Sequence, residues 1–227
     1  DYREHDRQIW EEELADFVPP RVFDAHAHLF LRRHLVDEAA RDACRWTDAG
    51  LATLQDWAAR LYPGREVHFL TLGTPVVGID PAAHTAWMRQ EIARDPQSRM
   101  NRLVTPACDV VAIERDLDDP QVVGLKPYRL FSVTGDAAQC RIHEFLPHPQ
   151  LELANERGLW VTMHLSRFAG CADAANLADL EEYTTRRYPR IRWILAHCAR
   201  SFTYWPIRQA VARLKHLPNL WYDVSAV

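Results

Sequence analysis

Hydrophobic and polar positions along this chain follow two periods that take turns. Over residues 2–17, Trp10, Leu14 and Phe17 recur at i, i+4 and i+7 with Glu11 to Glu13 largely outside. That spacing predicts a helix, ended by Pro19-Pro20. A strand is expected at 21–29, while 31–44 is charged and without clear period. Leu54, Trp57, Ala58 and Leu61 form a helical stripe over 51–61, stopped by Pro63-Gly64. Apolar runs at 66–72, 102–108, 122–128, 159–164, 191–197 and 219–224 each predict a buried strand. Helices are expected between them. Asp80-Pro81 opens one as N-cap and first-turn proline, and it carries Trp87, Met88 and Ile92. A short one spans 111–117, and Gly158 closes another over 149–157. Asp173 caps a helix through Leu177 and Leu180 to Arg187, and Pro206 opens one with Ile207, Ala210, Val211 and Leu214 on one face.

Strands alternating with helices are the pattern of a parallel sheet covered by helices. An open doubly wound sheet and a barrel both suit it. A doubly wound dinucleotide fold places a glycine-rich turn after the first strand, and here that turn carries Asp24-Ala25-His26-Ala27-His28. The pattern therefore predicts an α/β fold of the (β/α)8 TIM-barrel kind, with its eighth strand missing from the chain and expected beyond Val227. Residues 1–20 form a helical N-terminal extension in this scheme, and 21–227 the barrel domain.

Composition narrows the function classes. A length of 227 residues, 48% hydrophobic and 26% charged, suits one sizeable core. The net charge of −4 gives no electrostatic reason to expect nucleic acid. No run of roughly 18 apolar residues suggests a membrane span, and the acidic start is unlike a signal peptide. Cys44, Cys108, Cys140, Cys171 and Cys198 are odd in number and scattered, which argues against a disulfide framework or a cysteine zinc site. A cytoplasmic setting and a small-molecule substrate are expected, and a homo-oligomer is compatible with the composition.

The chemistry collects at strand ends. In a regular strand His26 and His28 share a face, with Asp24 behind them. Two such imidazoles can bind one metal ion through neutral ring nitrogens, although a solvated polar edge uses the same short pattern. Barrel active sites lie at the C-terminal ends of the strands. His26 and His28 end the first strand, Lys126 and Tyr128 the fourth, His164 the fifth and His197 the sixth. Four histidines from three strands thus share one rim. Arg129, Arg167 and Arg200 each follow a landmark by three residues. There they bind a substrate carboxylate or pair with neighbouring acids. Surface or structural roles are expected for the other histidines, buried apolar roles for Cys108 and Cys198, and helix packing for Trp46, Trp57, Trp87 and Trp205.

Five segments carry a resemblance: FDAHAHLF at 23–30, VVGLKPYRLF at 122–131, LWVTMHLSR at 159–167, ILAHCARSF at 194–202 and NLWYDVSAV at 219–227. In this order they resemble the amidohydrolase superfamily, in particular the amidohydrolase-related branch of metal-dependent hydrolases and nonoxidative decarboxylases. The resemblance implies that His26, His28 and His164 are metal ligands and that His197 is a further ligand or the acid/base. It implies one divalent ion per chain, zinc being expected, and a last ligand, an aspartate, on strand eight. Asp223 lies on strand seven and is not assigned that place. Lys126 is a bridging ligand when carboxylated in binuclear members; a burial-tuned amine, a substrate-anion contact and a structural ion pair are its other roles. Lys126, Tyr128, Arg129, Arg167 and Arg200 form the expected substrate-binding set. The implied activity is attack of metal-activated water on a C–N, ester or lactone bond, with His197 moving the proton. Nonoxidative decarboxylation on the same site, and a noncatalytic binding barrel, are the alternatives.

Overall fold

The computed structural model describes residues 2–200 and 204–225. Ser201, Phe202, Ala226 and Val227 of the matching segments lie outside them. Seven strands pair in chain order: β1 (Arg21–Leu29), β2 (Glu66–Gly73), β3 (Arg99–Val104), β4 (Val122–Pro127), β5 (Trp160–Met163), β6 (Arg192–Leu195) and β7 (Leu220–Tyr222). Every neighbouring pair is parallel. The helices are α1 (Glu4–Ile9), α2 (Glu38–Ala43), α3 (Leu51–Leu61), α4 (Pro81–Ile92), α5 (Val110–Asp116), α6 (Ile142–Phe145), α7 (His148–Arg157) and α8 (Ala174–Glu182), followed by Tyr204–Leu214. The sheet curls far enough for His26 of β1 to meet Asp223 just past β7, at 2.8 Å. No ladder joins β1 to β7 among the described residues.

Two apolar layers hold the helices to the sheet. Val161, Met163, Trp193 and Leu195 pack outward on Leu151, Leu177, Leu180 and Leu214. Ala27, Leu29, Phe69 and Met100 pack on Leu51, Leu54, Met88 and Ile92. Each aliphatic side chain fully buried in this way contributes about 1.5–3 kcal/mol. The inner face is lined lower down by Leu70, Leu72 and Ile194, with Val123 and Trp160 against them. The expected caps form: Asp80 accepts from the Ala82 and Ala83 N–H groups, Asp173 from those of Ala175 and Asn176, and Gly158 is left-handed at φ 62°.

Several expectations change. The N-terminal helix widens into a π turn at Trp10–Leu14, where the Ala15 N–H reaches back to the Trp10 carbonyl. A π turn adds a residue per turn and rotates the side chains beyond it about the helix axis. Only Trp10 of the stripe is buried, and Phe17 is 82% exposed. Trp10 packs edge-on against Tyr62 and beneath the Arg65 guanidinium. In α3, Trp57 and Leu61 are exposed beside this extension, whereas Leu51, Leu54 and Ala58 are buried. The third strand runs 99–104, three residues earlier than expected. Pro106 has no N–H to give a ladder, and the chain turns there with the Cys108 N–H on the Thr105 carbonyl. Segment 31–44 holds a 3-10 turn (Arg32–His34) and α2. No described helix is long and apolar enough to cross a membrane, and all five cysteines are free.

Candidate functional site

Strand alternation alone does not build this rim. It does so in β5, where Trp160 faces the inner cavity and Val161 and Met163 face the helices, so the period carries His164 inward. In β1 the same rule fails. Phe23 and Ala25 line the inner cavity with Leu70, Trp160 and Ile194, which would turn His26 and His28 outward. The pairing with β2 slips between Asp24 and Ala27, and this bulge swings both histidines inward while Ala27 and Leu29 stay in the helix-facing core. Asp24 closes the bulge, its Oδ1 accepting the His26 N–H at 2.9 Å. The expected face shared by Asp24, His26 and His28 therefore holds only for the two histidines. A second slip, opposite Met100 and Asn101 of β3, lets Val123 of β4 line the inner cavity while Lys126 and Tyr128 above it also turn inward.

His197 arrives by a third device. Beyond β6, His197, Cys198, Ala199 and Arg200 all take left-handed φ values of 55°, 47°, 59° and 56°. That conformation costs an L-residue about 1–2 kcal/mol, so the turn needs fixing. The His197 N–H donates to Asp223 Oδ1 at 3.0 Å and the Cys198 N–H to the Asp223 carbonyl at 2.8 Å.

The four rings converge at the rim. His26 Nδ1 lies 2.8 Å from Asp223 Oδ2, His28 Nδ1 lies 3.2 Å from the Gly73 carbonyl, and His197 Nδ1 lies 2.7 Å from the Ser225 carbonyl. Carbonyl and carboxylate oxygens only accept, so each Nδ1 carries the proton and each Nε2 is left bare. His26 Nε2 and His28 Nε2 then face each other at 3.2 Å. Two lone pairs at that distance repel unless a proton or a cation lies between them. A proton is disfavoured: burial, with the Lys126 charge second, pushes His28 down to about 3, and burial also lowers His26 and His164. His164 Nε2 and His197 Nε2 are 2.7 Å apart. Ligand atoms of His26, His164 and His197 all lie within 4.8 Å of one another. Convergent, half-buried imidazoles are a donor set that fits a divalent ion.

The cationic residues divide. Lys126 is fully buried, with Nζ 3.4 Å from His164 Nδ1 and 5.0 Å above the Tyr128 ring. Burial lowers its pKa to about 7, against the pull of Asp223. It has no ion pair among the described residues. Tyr128 stacks on His164 and donates its hydroxyl to the Gly73 carbonyl at 2.7 Å. Arg167 faces Asp173 at 3.6 Å, the acid-pairing alternative. Arg129 holds the Ala137 carbonyl at 2.6 Å. Arg200 is lowered by burial and then by the Arg129 charge, so two guanidinium groups act on each other. Neither has an ion pair among the described residues.

Sequence reasoning missed Asp223 and Ser225, although DVS repeats the HxH spacing at a strand end. It also missed Trp46, which stands edge-on at 6.5 Å from the His28 ring instead of packing on a helix. With Trp57 it lines a cavity of about 460 Å3 that reaches Asp24, His26 and His28.

A family model described as Amidohydrolase matches residues 23–227. No curated protein matches the sequence. Among solved structures, amidohydrolase 2 from Bifidobacterium longum subsp. infantis is similar at TM-score 0.58 and 17% identity, over 91% of this chain and 73% of its own. 5-Carboxyvanillate decarboxylase from Sphingomonas paucimobilis is similar at TM-score 0.55 and 15% identity, over 92% and 82%. An uncharacterized TIM-barrel protein from Bordetella bronchiseptica is similar at 0.52 and 13%, over 90% and 75%. At these identities the likeness is one of fold, and it places the seven-stranded sheet in the TIM-barrel class.

Proposed function

The chain belongs to the amidohydrolase family, and from that membership and the rim geometry we propose a metal-dependent hydrolase acting on a small carboxylate-bearing substrate. The observation that carries the proposal is the pair of bare Nε2 atoms of His26 and His28, 3.2 Å apart, with both Nδ1 atoms committed to oxygen acceptors. His26, His28 and His164 would hold a divalent ion, zinc first among those that suit neutral imidazoles. When bound, such an ion supplies Lewis acidity toward a scissile carbonyl and lowers the pKa of water.

The chain's own residues do the rest. The Ser225 carbonyl fixes the His197 Nδ1–H, so His197 takes up and returns a proton at Nε2. Arg129 and Arg200 supply the positive charge for a substrate carboxylate, and Lys126 lies deeper, beside His164. Tyr128 keeps its hydroxyl on Gly73 and offers its ring as the wall on which His164 rests.

His197→Asn tests the assignment. Turnover should vanish while the ion is retained. Loss of the ion would instead make His197 a ligand, an arrangement favoured by the compact His26–His164–His197 trio. Nonoxidative decarboxylation is the second reading, supported by two guanidinium groups without acid partners at the rim. Release of carbon dioxide, as against an acid or amine, separates the two. A metal-loaded protein that turns over no substrate would speak for a binding barrel.

A further inference from the structure

Asp223 lies one residue past β7, yet it touches two of the four rim histidines. Oδ2 accepts from His26 Nδ1 at 2.8 Å. Oδ1 accepts from the His197 N–H at 3.0 Å, the Ser225 N–H at 3.1 Å and the Ser225 hydroxyl at 2.6 Å. Its carbonyl takes the Cys198 N–H at 2.8 Å. The side chain is 10% exposed, so little water competes for these contacts.

This single carboxylate does two separable things. Because it only accepts, it forces the His26 proton onto Nδ1 and leaves Nε2 bare toward His28. Because its Oδ1 takes the His197 N–H, while the Asp223 main-chain carbonyl takes that of Cys198, the residue holds His197 inside the rim. Plain continuation of β6, with Ile194 inward and Leu195 outward, would point residue 197 away from the site. Gly170 backs the turn from the far side: a Cβ there would lie 2.3 Å from the Ala199 carbonyl oxygen.

We propose that Asp223 is the positioning residue of the rim, fixing the ring tautomer of His26 and the left-handed turn that presents His197. The proposal rests on the metal reading of the same site. It gives Asp223 a task other than ligation, because both of its oxygens are already engaged.

Asp223→Ala removes both tasks at once: His26 loses the acceptor that fixes its Nδ1–H, and the His197 N–H loses its partner in the turn. Zn2+ affinity of the folded variant, read by competition with a chromophoric chelator, should fall about 10–100-fold. The metal-free melting curve, recorded alongside, confirms folding. A residue that only secures the strand end would lower the melting temperature and leave affinity unchanged, and that result overturns the proposal. Long-range 1H–15N spectra of the metal-free wild type give a second test that needs no variant: the His26 proton should sit on Nδ1, and a proton on Nε2 overturns the proposal. Failure of the wild type to take up Zn2+, Co2+ or Mn2+ would remove the metal reading, and the spectra would still decide the role of Asp223.

Discussion

Gly170→Ala should disturb the His197 turn from a distance. Gly170 has φ +52°, and an added Cβ would lie 2.3 Å from the Ala199 carbonyl oxygen and 2.8 Å from that of Arg200. Those atoms are backbone, so no rotamer change relieves the contact. The left-handed conformation costs alanine about 1–2 kcal/mol, and overpacking of this kind adds about 1–3 kcal/mol. The total is roughly 2–5 kcal/mol, which for a chain of this size lowers Tm by roughly 4–20 °C. Gly158→Ala is the control: its φ is +62°, but the nearest atom is the Arg190 carbonyl oxygen at 3.8 Å. Only the conformational cost of about 1–2 kcal/mol applies there. Urea and thermal unfolding of both variants measure the difference. Equal losses, or a neutral Gly170→Ala, would refute the claim that the turn is wedged against residue 170.

Three further outcomes are expected. His68 bonds Asp95 at 2.8 Å and Glu66 at 3.0 Å, and although burial opposes its charge these acids raise its pKa. A raised folded pKa means its stabilising contribution is complete below the unfolded value of about 6.5 and fades as pH rises through the folded one. The stability gap between wild type and His68→Gln should therefore shrink as pH rises above about 6.5, and a gap that widens would contradict the assignment. Asp116→Ala strips the 2.6 Å partner from Arg102, whose side chain is 4% exposed. It should cost about 3–5 kcal/mol in urea unfolding, and a loss under about 1 kcal/mol would show that Arg102 finds another partner. Arg129→Ala should raise KM for a carboxylate substrate roughly 10–150-fold, the worth of a charged hydrogen bond, and an unchanged KM would place the carboxylate elsewhere.

The parts of this molecule legible in its sequence are those governed by one local rule. Apolar runs bounded by Pro63-Gly64, Asp80-Pro81 and Gly158 mark elements because caps and breakers act over a single turn. His164 is legible because β5 keeps strict alternation. His26 and His28 stand out by their spacing, but their aim depends on a bulge whose only trace is a register slip against β2. The shared face expected for Asp24 fails for that reason. His197 is marked by its place after a strand, whereas its inward turn requires four left-handed residues that Cys198, Ala199 and Arg200 give no reason to expect. The His26–Asp223 contact spans 197 residues and exists only because the sheet curls. Local periodicity carries no signal of that kind.

Metal content decides whether the rim histidines form a metal centre. The purified chain, loaded with Zn2+ and freed of excess ion, should hold one equivalent by elemental analysis, with nitrogen ligands in its X-ray absorption spectrum. His164→Ala and the paired change His26→Ala with His28→Ala should lose it. A wild type without bound ion, or an ion retained undiminished in His164→Ala, would rule out a metal centre built on these histidines.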